Sequence, residues 1–574
     1  MYNEIEKLAI NALYDATNKL DAEVSKDKIT LEFPPNHDMG DLASTVTFQL
    51  APVLKKSPAM IAEDIVEIIE VPDLFTKIEA KGPYVNFFID YNTFAEGLLK
   101  SINSDYGQLP DMDEKIVLEH TSANPNGPLH IGHIRNSIIG DSIRRLLLSS
   151  GREVETQYYV NDMGRQLAMV VYGIKELGLK IEDQGEDKID HNIGKVYLKV
   201  NQELEKDPSI DEGVTNLIKE YEQGDNKELN QLFHETIEKC LTGFKQTLKR
   251  MNVFHDKFVW EGDFIRNGDV DKYVDEMVEI GYARMEDVLR LKLGDYKIKN
   301  DLVLRRADGT SLYSTRDIAY HMYKCDQGDI VLDILGADHK LAFKQVKAAL
   351  MILEKIEEDS DDVSVLFYEF ITLPEGSMSS RTGNFISVDE LIDEAVSRAT
   401  VEIKSRRSDL SDDEIADIAE IIGVGAIRFY ISRLSPEKHI KFKWEEALNF
   451  ERGCASIQYA HARGAKLLQK AESQGINLDN LVFEDNWEPN EFERNLVRTL
   501  AKYPKLIGES ADIRRIHPIA NYLQELASDF NRFYKENQVV GSEFENARLI
   551  LVEKTKITLK NALDILGVTA PDRM

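Results

Sequence analysis

Between residues 115 and 370 the chain alternates short apolar runs with stretches of helical spacing, and this alternation constrains the fold more than any other feature. Ile116-Val117-Leu118 reads as a buried strand, and a loop containing Asn124, Pro125, Asn126, Gly127 and Pro128 follows. Ile134, Ile138, Ile139, Ile143, Leu146 and Leu147 then recur at the spacing of one helix face. Strand signals return at 156–160, 301–304, 330–335 and 363–370, with a helix over about 341–355. Such alternation predicts an α/β fold on a parallel sheet. Residues 170 to 290 are acid-rich and mostly helical in pattern, and read as an insertion.

The flanks differ from this middle. Residues 1–110 read as a separate α/β unit, with a helix over 4–20, strands at 30–33, 75–80 and 84–89, and a turn at Gly82-Pro83. A stretch poor in apolar residues separates it from the middle region, 111–410. Over 411–574 strand signals fade, and helical periods cover 415–432, 456–473, 491–509, 519–534 and 547–566, an all-helical bundle with Gly567 as its last C-terminal stop.

Composition narrows the class. The 574 residues hold 70 basic and 101 acidic side chains, a net charge of −31, and no apolar run reaches the roughly 18 residues that span a membrane. The first twenty residues carry acids and no apolar signal core, so the cytoplasm is the expected compartment. Cys240, Cys325 and Cys454 are too few and too scattered for a disulfide framework or a cysteine-pair zinc site. Strong acidity does not exclude a nucleic-acid partner, because net charge governs long-range steering and not a local site.

The strongest local signal is His130-Ile131-Gly132-His133, at the turn from the 116–118 strand into the following helix. A helix start presents unpaired N–H groups and a partial positive charge to phosphate. Gly132 admits a nucleotide close to the backbone, and two imidazoles one turn apart can donate to phosphate oxygens. Four residues alone could equally be a surface pair or a fragment of a metal site.

Their surroundings are more specific. Residues 119–141 resemble the HIGH signature of class I aminoacyl-tRNA synthetases, in the form found in the arginyl-tRNA synthetase family. Residues 159–166, 308–320, 336–339, 458–463 and 570–574 are each similar to further stretches of that family, in order and over essentially the whole chain, most nearly in the archaeal style. The resemblance implies a Rossmann-type catalytic domain, an N-terminal α/β domain that touches the tRNA elbow, and a C-terminal anticodon-binding bundle. It implies an arginine pocket of Glu119, Asn124, Tyr313, Asp317 and Asp338, with Glu119 and Asn124 at the α-amino and carboxyl end. Carboxylates suit a guanidinium fork, and Tyr313 and Asp317, four apart, would share a helix face. Asp317 could equally serve as a helix cap, and Tyr313 as core.

ATP would meet Pro128, His130, Gly132 and His133 and the family's second signature, a lysine-bearing mobile loop. Here that loop is 376–384, with Ser377, Met378, Ser379, Ser380 and Arg381, and serine stands at both lysine positions. The lysine that compensates in many arginine enzymes falls on Gly127. Arg381 is then the first candidate to offset triphosphate charge, with Lys340 and Arg135 behind it. Gln458, Tyr459, Arg463 and Met574 are the implied tRNA contacts, joined by basic clusters at Lys404, Arg406 and Arg407, at Lys438, Lys441 and Lys443, and at Arg514-Arg515. Mg2+ is expected only as ATP's counter-ion, no protein-held metal is implied, and a monomer is expected. The reaction implied is arginyl-adenylate formation followed by esterification of tRNA-Arg. A synthetase for glutamate fits poorly with an acidic pocket, and one for cysteine lacks a zinc cluster. A catalytically silent RNA-binding paralogue draws only on the weakened loop.

Overall fold

The structure is a computed structural model that describes all residues except 1, 23, 35, 36, 186, 308, 359 and 373–385. At its centre lies a five-stranded sheet of β1 (Lys115–Glu119), β2 (Glu153–Val160), β3 (Lys257–Trp260), β4 (Ile330–Gly336) and β5 (Val363–Tyr368). All neighbours are parallel, and the spatial order is 3-2-1-4-5. The order reverses beside β1, so the carboxyl ends of β1 and β4 flank the crevice where open α/β sheets bind ligands.

Two expectations from the sequence are corrected here. The Lys257–Trp260 stretch, placed within a helical insertion, is the edge strand β3 of the main sheet. It is four residues long with only Val259 fully buried, too little for a strand period to register. The stretch at 301–304 instead opens a separate three-stranded antiparallel sheet of Ala283–Met285, Leu289–Leu291 and Leu302–Arg305.

Helices cover the sheet. The helix α1 (Ile131–Ser149) follows β1, and α2 (Arg165–Lys175), α3 (Ile189–Lys206) and α4 (Lys227–Arg250) pack together between β2 and β3. The short α5 (Glu261–Arg266) follows β3, α6 (Tyr313–Gln327) precedes β4, and α7 (Lys340–Ile352) follows it. Beyond residue 385 come α8 (Val388–Arg406) and α9 (Asp412–Ser432). Each begins at a serine whose hydroxyl accepts a backbone N–H while a glutamate three residues on bonds back, Ser387 with Glu390 and Ser411 with Glu414. The bundle continues with α10 (Cys454–Ser473), α11 (His517–Glu536) and α12 (Glu545–Ile565). Gly567 takes φ +64° just past α12, and a Cβ there would also fall 2.2 Å from the Arg428 guanidinium.

At the other end, helix Tyr2–Lys19 lies with a four-stranded antiparallel sheet in the order Leu31–Glu32, Leu42–Ser44, Tyr84–Ile89, Phe75–Lys81. Phe87 is fully buried there, edge-on to Phe75 at 5.2 Å, and so belongs to the core. One continuous apolar core joins this unit, the sheet and the bundle.

Candidate active site

The turn that leaves β1 is strained. Thr121 and Ser122 take φ +71° and +38°, the left-handed region that costs residues with a Cβ about 1–2 kcal/mol each. Side chains hold it there: the Thr121 N–H donates to Asn136 Oδ1 at 2.6 Å and the Tyr158 hydroxyl donates to the Ala123 carbonyl at 2.8 Å. The chain then runs past the buried Pro128 to His130, which caps α1.

The two histidines are locked as one unit. The Gly132 N–H donates to His130 Nδ1 (3.1 Å), the His130 N–H donates to His133 Nδ1 (3.3 Å), and the rings stack at 3.8 Å. Burial pushes both imidazoles below their ordinary pKa, His133 well below. Each is therefore neutral at pH 7 with its proton on Nε2, a donor for a phosphate oxygen at a helix start. A Cβ at residue 132 would come within 2.8 Å of His130 Cε1, so glycine is required for the stack. A cavity of about 170 Å³ opens here, lined by Asn124, Pro128, His130, His133, Gln166 and Tyr197. Asn124 Nδ2 donates to Gln166 Oε1 at 3.1 Å.

Ser377, Met378, Ser379, Ser380 and Arg381 lie outside the described residues. The segment's exit is described and is tied to the histidine turn. The Ile131 N–H donates to the Ile386 carbonyl (3.3 Å) and the Val388 N–H to the Leu129 carbonyl (2.8 Å). Of the alternative cations, Arg135 is corrected: it is fully buried and donates to the carbonyls of Glu369, Lys438 (2.8 Å) and Ser435 (3.1 Å), a strut and not a phosphate ligand. Lys340 is exposed, with its ammonium 5.7 Å from the Phe367 ring centroid.

A second cluster is acidic. Tyr313 opens α6 with 44% of its surface exposed, and desolvation of its hydroxyl, with the Asp317, Glu119, Glu261 and Asp333 carboxylates adding to it, raises its phenol pKa. Asp317 follows one turn later with its carboxylate mostly covered. In the same charged neighbourhood, at the start of α5, sits Glu261, a residue the sequence reading missed. It is fully buried, neither of its oxygens accepts a hydrogen bond among the described residues, and its cationic neighbour is Arg316, whose Nε lies 3.4 Å from Oε1. Burial is the main cause that raises its pKa, to about 8, with Asp162 and Asp317 adding to it against Arg316. Asp162 accepts from the Gly262 N–H (2.6 Å) and from the Tyr221 hydroxyl (2.9 Å), which fixes the turn that aims Glu261. A buried carboxylate with one ion-pair partner and no hydrogen bond has capacity left for a ligand that donates to it. Its position at the carboxyl end of β3 was the available signal, and that signal vanished with the strand.

Two expected pocket residues are placed differently. Glu119 is buried in an ion pair, with Oε2 accepting from Lys324 Nζ at 2.8 Å and Oε1 from the Ser122 hydroxyl at 2.9 Å. Asp338 stands on the rim beyond β4, its side chain 60% exposed beside His339.

In the bundle, Gln458 is corrected from tRNA contact to internal strut. It is fully buried and donates to the carbonyls of Thr569 (2.9 Å) and Ile421 (3.3 Å). Tyr459 is exposed, and the Arg463 guanidinium lies between its ring and that of Tyr534, 4.7 and 4.6 Å from the centroids. Met574 packs half-buried against the α8–α9 apolar cluster. The basic clusters are paired with acids, Lys404 with Asp412, Arg407 with Asp409, Lys443 with Glu446 and Arg515 with Glu437. Asp190, His191 and Asp389 converge as metal ligands would, but the Lys188 ammonium, 2.5 Å from Asp389 and 3.3 Å from Asp190, already serves as their cation.

A parallel sheet in the order 3-2-1-4-5, with stacked histidines at the helix start after its central strand, is the catalytic core of a class I aminoacyl-tRNA synthetase. Residues 98–444 match the family model for the class I (R) tRNA synthetase catalytic domain, residues 3–89 that for the arginyl-tRNA synthetase N-terminal domain, and 457–574 that for the DALR anticodon-binding domain. The chain belongs to the arginyl-tRNA synthetase family. It is 59% identical to an arginine–tRNA ligase of Methanobrevibacter smithii and 55% identical to one of Methanothermobacter thermautotrophicus, with each pair aligned over 100% of both chains. It resembles the solved arginyl-tRNA synthetase of Thermus thermophilus with a TM-score of 0.82 at 25% identity, over 99% of this chain and 100% of that one.

Proposed function

We propose that this chain is an arginine–tRNA ligase in which two separate clusters share the work: Asp317 and Glu261 hold the arginine guanidinium, while His130 and His133 hold ATP. The single observation that carries the assignment of arginine is Glu261, whose two buried oxygens accept no hydrogen bond among the described residues and lie in the same charged neighbourhood as Asp317 and Tyr313. A guanidinium offers the donors these carboxylates lack, in a planar fork that matches them. With that end held, an oxygen of the arginine carboxylate attacks the α-phosphorus of ATP and pyrophosphate leaves. The Nε2–H groups of His130 and His133 stabilise the charge that grows on the phosphate oxygens. The catalytic gain is alignment and charge stabilisation, with no covalent enzyme intermediate.

In the second step a hydroxyl of the terminal adenosine of tRNA-Arg attacks the adenylate carbonyl and AMP departs. The 2′-hydroxyl is the acceptor proposed from class membership. Tyr459, with Arg463 behind it, offers a face on which an RNA base can stack. Mg2+ enters as the counter-ion of ATP, and no described residue is assigned to it.

The test is charging of unfractionated tRNA with each amino acid, together with arginine-dependent ATP–pyrophosphate exchange with and without tRNA. Charging with arginine alone is expected. Exchange that appears only with tRNA would add an induced-fit step, and ATP binding without charging by any amino acid would reject the assignment.

A further inference from the structure

The arginine pocket is backed by an unbroken line of buried ionisable groups. Glu119 Oε2 accepts from Lys324 Nζ at 2.8 Å, and the same ammonium donates to Asp333 Oδ1 at 2.7 Å. Asp333 Oδ2 lies 2.8 Å from His321 Nε2, and His321 Nδ1 lies 3.1 Å from Asp317 Oδ1 and 2.9 Å from the Asp317 carbonyl. Lys324, Asp333 and the His321 ring are almost wholly shielded from water. The line runs from β1 through α6 and β4 and returns to α6. It ends at Asp317, the carboxylate assigned to the guanidinium.

His321 is the link that matters for the substrate. Each ring nitrogen faces oxygen acceptors only, Asp333 on one side and Asp317 on the other, and an imidazole satisfies both only by donating from both. Other groups around the ring do not compete for those protons: Tyr320 and Lys324 lie on the same helix, and Phe343 of α7 meets the ring edge-on at 6.4 Å. The Tyr320 hydroxyl is turned away toward Gln157 Oε1, at 3.0 Å.

We propose that His321 is a positioning residue for arginine selection: an imidazolium clamped between Asp333 and Asp317 that fixes the Asp317 rotamer for the incoming guanidinium. The proposal rests on Asp317 being the guanidinium ligand. Burial and Lys324 oppose the charge on His321, yet the two carboxylates prevail and hold its pKa up to about 10. The site thus carries its own cation behind the carboxylate, so that Asp317 is oriented before substrate arrives.

Two measurements test it. In wild-type protein labelled with ¹⁵N-histidine at pH 8, one ring should be protonated on both nitrogens, and that signal should vanish in His321→Asn. Steady-state kinetics of His321→Asn and His321→Gln should show arginine KM raised about tenfold, the scale of a lost hydrogen bond to a charged group, with ATP KM within about twofold. Asp317→Asn is run alongside. If it raises arginine KM while the folded His321 variants do not, the positioning role fails and the guanidinium assignment stands. If Asp317→Asn leaves arginine KM unchanged, both fail. A His321 ring carrying a single proton at pH 8 overturns the proposal without any variant.

Discussion

Arg428 and Glu261 are both fully buried ionisable side chains, yet one is closed and the other open. Arg428, on α9, donates to the Leu566 and Met251 carbonyls and to Asp141 Oδ2, each at 2.6 Å, and so fastens the bundle to helix α1 behind the histidines. Among the described residues Glu261 accepts no hydrogen bond, has only the Arg316 ion pair at 3.4 Å, and carries a raised pKa. Burial alone therefore says nothing about role. An ion whose hydrogen bonds are filled from within the chain reports architecture, whereas one held in place with its bonds unfilled reports a ligand.

The contrast can be broken by substitution. Glu261→Gln and Asp317→Asn should each lower kcat/KM for arginine about 100-fold or more, at least about 2.7 kcal/mol, with ATP use unchanged. Because Gln removes a carboxyl group whose charged form is disfavoured by burial, Glu261→Gln should melt no lower than wild type, and a lower Tm would place Glu261 among the structural groups. Arg428→Met should do the reverse, costing about 3–5 kcal/mol in urea denaturation by leaving Asp141 and two carbonyls short of donors. Its arginine KM should not move, and a change there would mean that the seam tunes the pocket.

Smaller effects sharpen the picture. Tyr459→Ala should raise the KM for tRNA about tenfold through loss of base stacking, leaving tRNA-independent steps untouched. An unchanged tRNA KM would remove Tyr459 from the interface. The smallest effect is on pH. The Glu261 pKa is raised in the folded state, to about 8. The folded protein thus keeps a proton that the unfolded chain loses near the ordinary glutamate value, and stability falls as pH rises between the two. Arginine needs the ionised form, so its KM should fall several-fold between pH 6.5 and 8.5. Glu261→Gln should abolish both trends, and identical profiles for the two proteins would refute the assignment.

The comparison also explains what could be read in advance. Helix periods of 3.6 and a buried strand at Ile116-Val117-Leu118 are local properties, as is a glycine between two histidines at a strand–helix turn, and each lies where the sequence placed it. Asp317 and Tyr313 are one turn apart in any helix. Gln458 is implied as a contact, with Tyr459, by the resemblance of residues 458–463, yet successive helix positions point about 100° apart, one into the bundle and one to solvent. By sequence Arg135 is a weaker candidate for the cation that meets triphosphate, and its guanidinium lies under carbonyls more than 230 residues away.

What the sequence determined by itself is therefore everything set by near neighbours along the chain: the parallel α/β middle, the helical C-terminal region, the histidine turn and the family. The tertiary structure alone decided which buried charges are filled and which are left for a ligand. That depends on donors and acceptors brought from distant segments, as Lys324 is to Glu119 across 205 residues, whereas among the described residues Glu261 meets Arg316 as an ion pair and accepts no hydrogen bond. Hydrogen-bond satisfaction is a property of the folded neighbourhood, and no window along the chain contains it.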